Sequence, residues 1–419
     1  MTTPHVGRLT TFVALALLTA TIAGRVEVAV LGVAAAAVLG ASLRREAPSV
    51  TTEVLVSDER VYEGDELDLT IRLRATGDAD SVTVRLSAHP ALRVRHRDAT
   101  VTVPLRDGET RDVVLKAVAS RWGVLSAGPA YVVAYGRGRT HAEAVVAPAQ
   151  VVRVLPRREE FDASAAHPHT RALAGSHPAR VAGEGIEPTG VREYRPGDAF
   201  RRVNWRVTAR RRAMHVTEQV PERNAEVVLF LDTYVDRGPE GATTLDLAVR
   251  AGAAIAEHYL ASMDRVGAVS FGGVLSWLYA DAGRVQQHRV VEHLIGTATV
   301  KTYADKDVAF LPARSLPPRA LVIALSPLLD TRAAGAIADL AHRGYGLVVV
   351  DTSPRPLLPP PTRWARDLAQ RLFLVERDAL VHRLAEVGVP VVPWTGAGSL
   401  NVVLAEVTRL HARPRVAMR

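Results

Sequence analysis

The hydrophobic pattern changes period along the chain. Leu9–Ala23 is apolar apart from threonines, and Val28–Leu43 is apolar and uncharged, with only Gly24, Arg25, Val26 and Glu27 between them. Each run approaches the roughly 20 residues of a bilayer-spanning helix. A helix satisfies its own backbone, which is what hydrocarbon demands. The short break predicts a tight transmembrane helical hairpin over residues 1–45. A signal peptide ending near Ala23 is the alternative, with a buried soluble hairpin as a third. Arg8 precedes the pair, and Arg44 and Arg45 follow it. The positive-inside rule therefore predicts a multi-pass protein of the cell membrane with its soluble region in the cytoplasm.

Over residues 46–156 the period becomes two. Leu67, Leu69, Ile71 and Leu73 alternate with Asp68, Thr70 and Arg72; Val82, Val84 and Leu86 repeat the pattern, as do Val101, Val103 and Leu105. Alternation means strands with one buried face. Turn chemistry separates them at Glu63-Gly64-Asp65, Thr76-Gly77-Asp78 and Arg106-Asp107-Gly108. About seven strands at this spacing predict an immunoglobulin-like β-sandwich. It carries no catalytic constellation, which suits a spacer or an interaction module.

From residue 225 to 419 continuous apolar runs alternate with helical spacing. Strands are predicted at Glu226–Leu231, Val266–Phe271, Val274–Tyr279, Leu321–Leu325, Leu347–Val350 and Val389–Val392, with helices at Leu245–Leu260, Arg332–His342 and Trp364–Arg371. That order implies an α/β domain whose sheet is mostly parallel and covered on both faces. The closeness of the second and third strands predicts one antiparallel edge hairpin.

Residues 157–224 lie between these domains. The stretch 157–182 is polar, with His167, Pro168, His169, His177 and Pro178, and reads as a linker because the histidines lack a regular ligand spacing. Then comes an arginine-rich run, Gly190 to Arg212. Pro196-Gly197 makes a turn, and Asp198 is placed to cap a following helix. On that helix Phe200, Val203 and Val207 would share one face, and Arg202, Arg206 and Arg210 another.

Composition sharpens this run. The 419-residue chain has a formal charge of +8 and no cysteine, which excludes disulfides, thiolate metal sites and thiol nucleophiles. Lysine occurs only at Lys116, Lys301 and Lys306. From Arg192 to Arg212 eight arginines face only Glu193 and Asp198, so a net +6 is concentrated there. The arginines suit bonding to a neighbouring domain, docking of an acidic protein, or contact with anionic lipid or nucleic acid. Tyr194 and Trp205 are few aromatics for base stacking, which disfavours nucleic acid.

The residues Arg192, Glu193, Tyr194, Arg195, Pro196, Gly197 and Asp198, then Arg201, Asn204, Trp205, Arg206 and Arg210, resemble the defining motif of the bacterial domain of unknown function family 58. Arg121-Trp122-Gly123, Gly128-Pro129 and Val152-Arg-Val-Leu-Pro156 resemble the end of that family's β-domain. The resemblance implies a membrane protein associated with a MoxR-type AAA+ ATPase and other membrane proteins, with the motif as family signature and partner-binding surface. It implies no reaction.

The order of the C-terminal elements is similar to a von Willebrand factor type A domain. In that fold the carboxyl ends of the strands can hold a metal through an Asp-x-Ser-x-Ser turn, a distant threonine and a second aspartate. Here Asp232 matches the first aspartate, but Tyr234 and Asp236 stand at the serine positions and Ser326-Pro327 where Ser-Asp is expected. Asp330 is the next carboxylate, and Thr302 and Asp305 match loosely. Asp232 and Asp236 remain as a degenerate site for Mg²⁺, a hard cation that takes oxygen ligands; otherwise they cap the adjoining helix and hydrogen-bond the loop. No P-loop, His-Glu-x-x-His or Gly-x-Ser-x-Gly occurs. The expectation is a non-catalytic, membrane-anchored scaffold or adaptor acting with the ATPase in assembly or maturation of envelope proteins. A metal-dependent adhesion module and a hydrolase with a dispersed site are the alternatives.

Overall fold

The computed structural model describes residues 4–43, 48–95, 100–136, 139–157, 187–195, 198, 200, 203–220, 226–302, 304, 306–318, 320–354, 364–396 and 398–412. The predicted linker and its histidines fall outside these residues. The chain divides into two compact units, Met1–Arg157 and Arg158–Arg419.

The first unit begins with α1 (Pro4–Ala23) and α2 (Val26–Leu43). Gly24, at a φ of 62°, ends α1 in the left-handed conformation that glycine adopts without steric strain. The helices pack closely: a Cβ added to Gly32 would lie 3.1 Å from the Leu17 side chain. Thr10, Thr11 and Thr19 return their hydroxyls to carbonyls four residues back, which removes polar groups from an otherwise apolar surface. Among the described residues α1 is the one helix long and apolar enough to cross a membrane; Val26–Ala41 is a shorter apolar stretch.

Eleven strands follow: β1 (Ser49–Val56), β2 (Arg60–Tyr62), β3 (Glu66–Thr76), β4 (Ala79–Leu86), β5 (Leu92–Val94), β6 (Thr100–Leu105), β7 (Thr110–Ala119), β8 (Gly123–Ala127), β9 (Ala130–Tyr135), β10 (Ala142–Ala147) and β11 (Gln150–Leu155). They form sheets β1–β3–β7–β5, β10–β9–β4–β6 and β2–β11–β8. Leu67, Leu69, Ile71 and Leu73 of β3 are buried in one core with Val82, Val84 and Leu86 of β4, so the alternation in the sequence sets the inward face. The count exceeds the expected seven. Short strands such as β2 and β5, three residues each, hold too few side chains to print a period.

The second unit opens with a small antiparallel pair, β12 (Glu187–Glu193) and β13 (His215–Val220), joined through a short helix, α3 (Trp205–Arg211). Its main body contains β14 (Glu226–Asp232), α4 (Thr244–Ala261), β15 (Arg265–Phe271), β16 (Ser276–Asp281), α5 (Gly283–Ile295), β17 (Leu321–Ser326), α6 (Thr331–His342), β18 (Gly346–Asp351), α7 (Trp364–Glu386), β19 (Val391–Pro393) and α8 (Gly398–Ala412). The sheet order is β16–β15–β14–β17–β18–β19, with β16 antiparallel and every other pair parallel. Phe230, Val322 and Val349 lie in one core with Ala333 and Ile337 of α6, as expected for strands buried by helices.

The helix expected after Asp198 starts later. Asn204 caps it, accepting the Val207 N–H at 3.2 Å, and Val203 bridges to Val216 as a strand residue. Asp198 is instead committed to Arg192, so the helical face expected for Phe200, Val203 and Val207 does not form.

Candidate functional site

β14 and β17 lie side by side at the centre of the sheet, and the chain leaves them for opposite flanks. Such a switch point leaves a crevice at the carboxyl ends of the strands, where open α/β sheets bind ligands. Asp232 ends β14 there and Ser326 ends β17. The Ser326 hydroxyl donates to Asp232 Oδ2 at 2.7 Å and accepts the Leu328 N–H at 3.0 Å. The Tyr234 N–H donates to Asp232 Oδ1 at 3.1 Å. Burial disfavours the ionised form and pushes the Asp232 carboxyl up to about 6, against these two hydrogen bonds.

The polar chain continues across the next strand end. Ser353 Oγ donates to the Pro327 carbonyl at 3.2 Å, and Arg377 of α7 donates to that carbonyl and to Ser353 Oγ. Arg377 also pairs with Asp351, the last residue of β18, at 2.7 Å. On the other side Asp330 caps α6 through the Arg332 N–H and holds the Arg332 guanidinium at 2.7 Å. The guanidinium keeps the Asp330 carboxyl below its ordinary range, donates to the Thr302 carbonyl at 2.9 Å and lies 4.1 Å over the Tyr234 ring. Beside it opens a groove of about 440 Å³ lined by Lys306, Asp307, Val308, Thr331, Arg332, Gly335, Ala336 and Asp339.

Asp236 turns away from this crevice towards the start of α4, where it accepts the Leu245 N–H at 3.2 Å and the Thr244 hydroxyl at 3.4 Å. The Thr302 hydroxyl accepts the Ala304 N–H at 3.1 Å, and Asp305 lies outside the described residues. Among the described residues no group of three or more His, Cys, Asp or Glu is placed to hold a metal.

The signature forms a second polar constellation. Arg192 on β12 makes a bidentate pair with Asp198, both bonds 2.7 Å, and the Arg195 N–H donates to the same carboxylate at 2.7 Å. These donors hold Asp198 down at about 2. The Tyr194 N–H reaches the Met214 carbonyl and the Asn204 N–H the His215 carbonyl, both 2.8 Å. Asn204 Nδ2 reaches Thr217 Oγ1 at 3.3 Å. Glu193, Trp205, Arg206 and Arg210 are exposed. Pro196, Gly197 and Arg201 lie outside the described residues.

Sequence reasoning missed Asp351, Ser353 and Arg377. Asp351 has a readable signal, since it ends the apolar run of β18 as Asp232 ends β14; Arg377 has none, because it arrives from a distant helix. It also missed a serine–histidine contact. Ser270 Oγ lies 3.0 Å from His293 Nε2 and 3.1 Å from Thr297 Oγ1. Ser270 is 3% exposed, which withholds its hydroxyl from any substrate, and burial holds His293 below its ordinary value and neutral.

Residues 190–355 match the model of a family described as a protein of unknown function, DUF58. The match takes in the signature and the switch point. Uncharacterized proteins of Mycobacterium tuberculosis and Mycobacterium bovis are 36% identical over 122 residues, 28% of this chain. The match spans 38% of the length of those curated relatives. Among solved structures, a CARDB domain from Pyrococcus furiosus in complex with di-metal ions is 15% identical at a TM-score of 0.20, covering 27% of this chain and 98% of that one. A non-cellulosomal cohesin from Archaeoglobus fulgidus is 12% identical at 0.20, covering 25% and 91%. Likenesses this slight leave function to the chain's own residues.

Proposed function

We propose that the protein is a membrane-anchored, non-catalytic adaptor that works with a MoxR-type AAA+ ATPase in assembly or maturation of envelope proteins. One observation carries the non-catalytic part. The carboxylates at the switch point, where an α/β enzyme keeps its reactive groups, are each engaged by a neighbour: Asp232 by Ser326, Asp351 by Arg377 and Asp330 by Arg332. A working site needs groups aimed at a ligand. The partner rests on the signature, which the DUF58 match supports.

The apolar α1 supports anchoring, and the charges at Arg8, Arg44 and Arg45 support a two-helix hairpin with both soluble parts cytoplasmic. A reporter fused after Arg419 that is active only outside the cytoplasm overturns that orientation. The shared core of the two four-stranded sheets supports an immunoglobulin-like sandwich. The order β16–β15–β14–β17–β18–β19 with one antiparallel edge supports a von Willebrand factor type A-like domain.

The open groove beside α6 is the ATPase-docking surface in this reading. It has an apolar floor at Val308 and Ala336 and charges of both signs on its rim. Gly335 is exposed on α6, and a Cβ there meets nothing within 4 Å. Gly335→Trp therefore fills the groove without disturbing the core. The full chain, affinity-purified from native membranes, is expected to bring down the ATPase, and Gly335→Trp to lose it. Undiminished recovery by the variant sinks the groove, and no ATPase with the wild type sinks the partnership.

A further inference from the structure

Helix α3 has two faces. Val207 and Thr208 are half-buried towards β13, where Thr208 Oγ1 accepts the His215 N–H at 3.0 Å. On the helical wheel Trp205, Ala209, Arg206 and Arg210 fill the opposite arc, and all four are exposed. Phe200 stands against Trp205, ring centroids 6.4 Å apart, and Tyr194 meets Phe200 edge-on at 6.1 Å. Phe200 is 62% and Trp205 63% exposed. Folding alone gives no reason for two large aromatics to stay in water side by side.

The charged side chains of α3 are all arginines. Arg206, Arg210, Arg211 and Arg212 are exposed, and none makes an ion pair among the described residues. Asp198 is already taken by Arg192. Aromatics and arginine are features that protein and membrane interfaces share. The apolar α1 of the same chain favours a membrane interface here, where indole and phenol rings settle at headgroup depth and arginines meet lipid phosphates.

We propose that the Tyr194–Phe200–Trp205 ledge and the arginines of α3 form a docking face for an anionic lipid surface, with Trp205 entering the headgroup region. The inference rests on the anchored reading: the apolar α1 near the N-terminus, seated in a bilayer, raises the effective concentration of the face there, so weak contacts suffice. The contact goes beyond the adaptor reading and uses residues remote in sequence from the α6 groove.

The test uses the full chain in lipid nanodiscs with brominated acyl chains, made of phosphatidylcholine alone or mixed with phosphatidylglycerol. The wild-type emission minus that of Trp205→Phe isolates Trp205 from the other four tryptophans. Trp205 is expected to be quenched in the anionic discs and much less in the neutral ones. Arg206→Gln with Arg210→Gln should lower the ratio of docked to free face by roughly thirtyfold, and Arg206→Lys with Arg210→Lys should restore it. Gly335→Trp, read as its emission minus that of Gly335→Trp with Trp205→Phe, should leave the Trp205 quenching unchanged, so this proposal and the groove fail separately. Equal quenching in both lipids, or quenching indifferent to the glutamine pair, overturns the lipid face. So does unquenched Trp205 that an added acidic protein shields, which assigns the face to a protein.

Discussion

Two aspartates define two unlike regions of the second unit. Asp232 sits at the end of a strand buried from Val227 onward, with its carboxyl pushed up to about 6. Asp198 sits near the surface, held down at about 2 by Arg192 and the Arg195 N–H. Around Asp232 the carboxylates are each engaged by a neighbour, and the region behaves as part of the fold. Around Asp198 the pair with Arg192 fixes a small frame, and Phe200, Trp205, Arg206 and Arg210 stay exposed. Chemistry turned inward is absorbed by the fold, while chemistry left facing solvent is available to a partner.

The largest effect expected from breaking this contrast lies beside the switch point. Gly272 follows β15, and a Cβ there would fall 2.1 Å from Thr233 Oγ1 and 2.8 Å from the Thr233 backbone carbonyl carbon. Gly272→Ala should cost about 3 kcal/mol, at the upper end for overpacking, read as a lower denaturant midpoint. A loss below about 1 kcal/mol would mean that this region yields more than its packing implies.

Asp232→Asn comes next, with the opposite sign. The folded carboxyl titrates at about 6 against an ordinary 3.8. Below pH 4 the acid is protonated whether folded or unfolded and the shift has no effect. As pH rises to 6 and beyond, the ionised form is progressively penalised, by roughly 2 to 3 kcal/mol. Asparagine keeps an acceptor for the Tyr234 N–H and escapes that penalty. Its melting temperature should exceed the wild type's at pH 8, with the gain gone below pH 4. A lower melting temperature at pH 8 would make Asp232 a needed anion rather than a tolerated one.

The signature should respond to acid in the reverse sense. Because Asp198 is depressed, its contribution is present above its ordinary value near 4 and is lost as pH falls through about 2. Hydrogen exchange at Arg195 should rise over that interval, with a smaller change in global melting than Asp232→Asn gives. The smallest effect belongs to Trp205→Ala. Its side chain is mostly in water, so stability should move by no more than about 0.5 kcal/mol. A large loss of stability would make the aromatic ledge part of the core and erase the contrast.

How much of this was legible follows from the range of each interaction. The inward face of β3 was readable at Leu67, Leu69, Ile71 and Leu73 because a strand prints its period locally. The parallel strands were readable as apolar runs, and Asp232 stood out as the charge that ends one. The start of α3 was misplaced because Asp198 and Asn204 are both good caps, and only the Arg192–Asp198 pair removes the first from competition.

Local pattern sets the apolar helices, the β-rich stretch, the alternating α/β elements and the concentration of charge between Arg192 and Arg212. Each depends on neighbours a few residues apart. Folding in three dimensions is what brings Ser326, 94 positions from Asp232, onto its carboxylate, commits Asp236 to α4, and sets Phe200 against Trp205 in solvent. Those outcomes turn on which groups the fold brings within hydrogen-bond or van der Waals reach, a relation that distance along the chain does not encode.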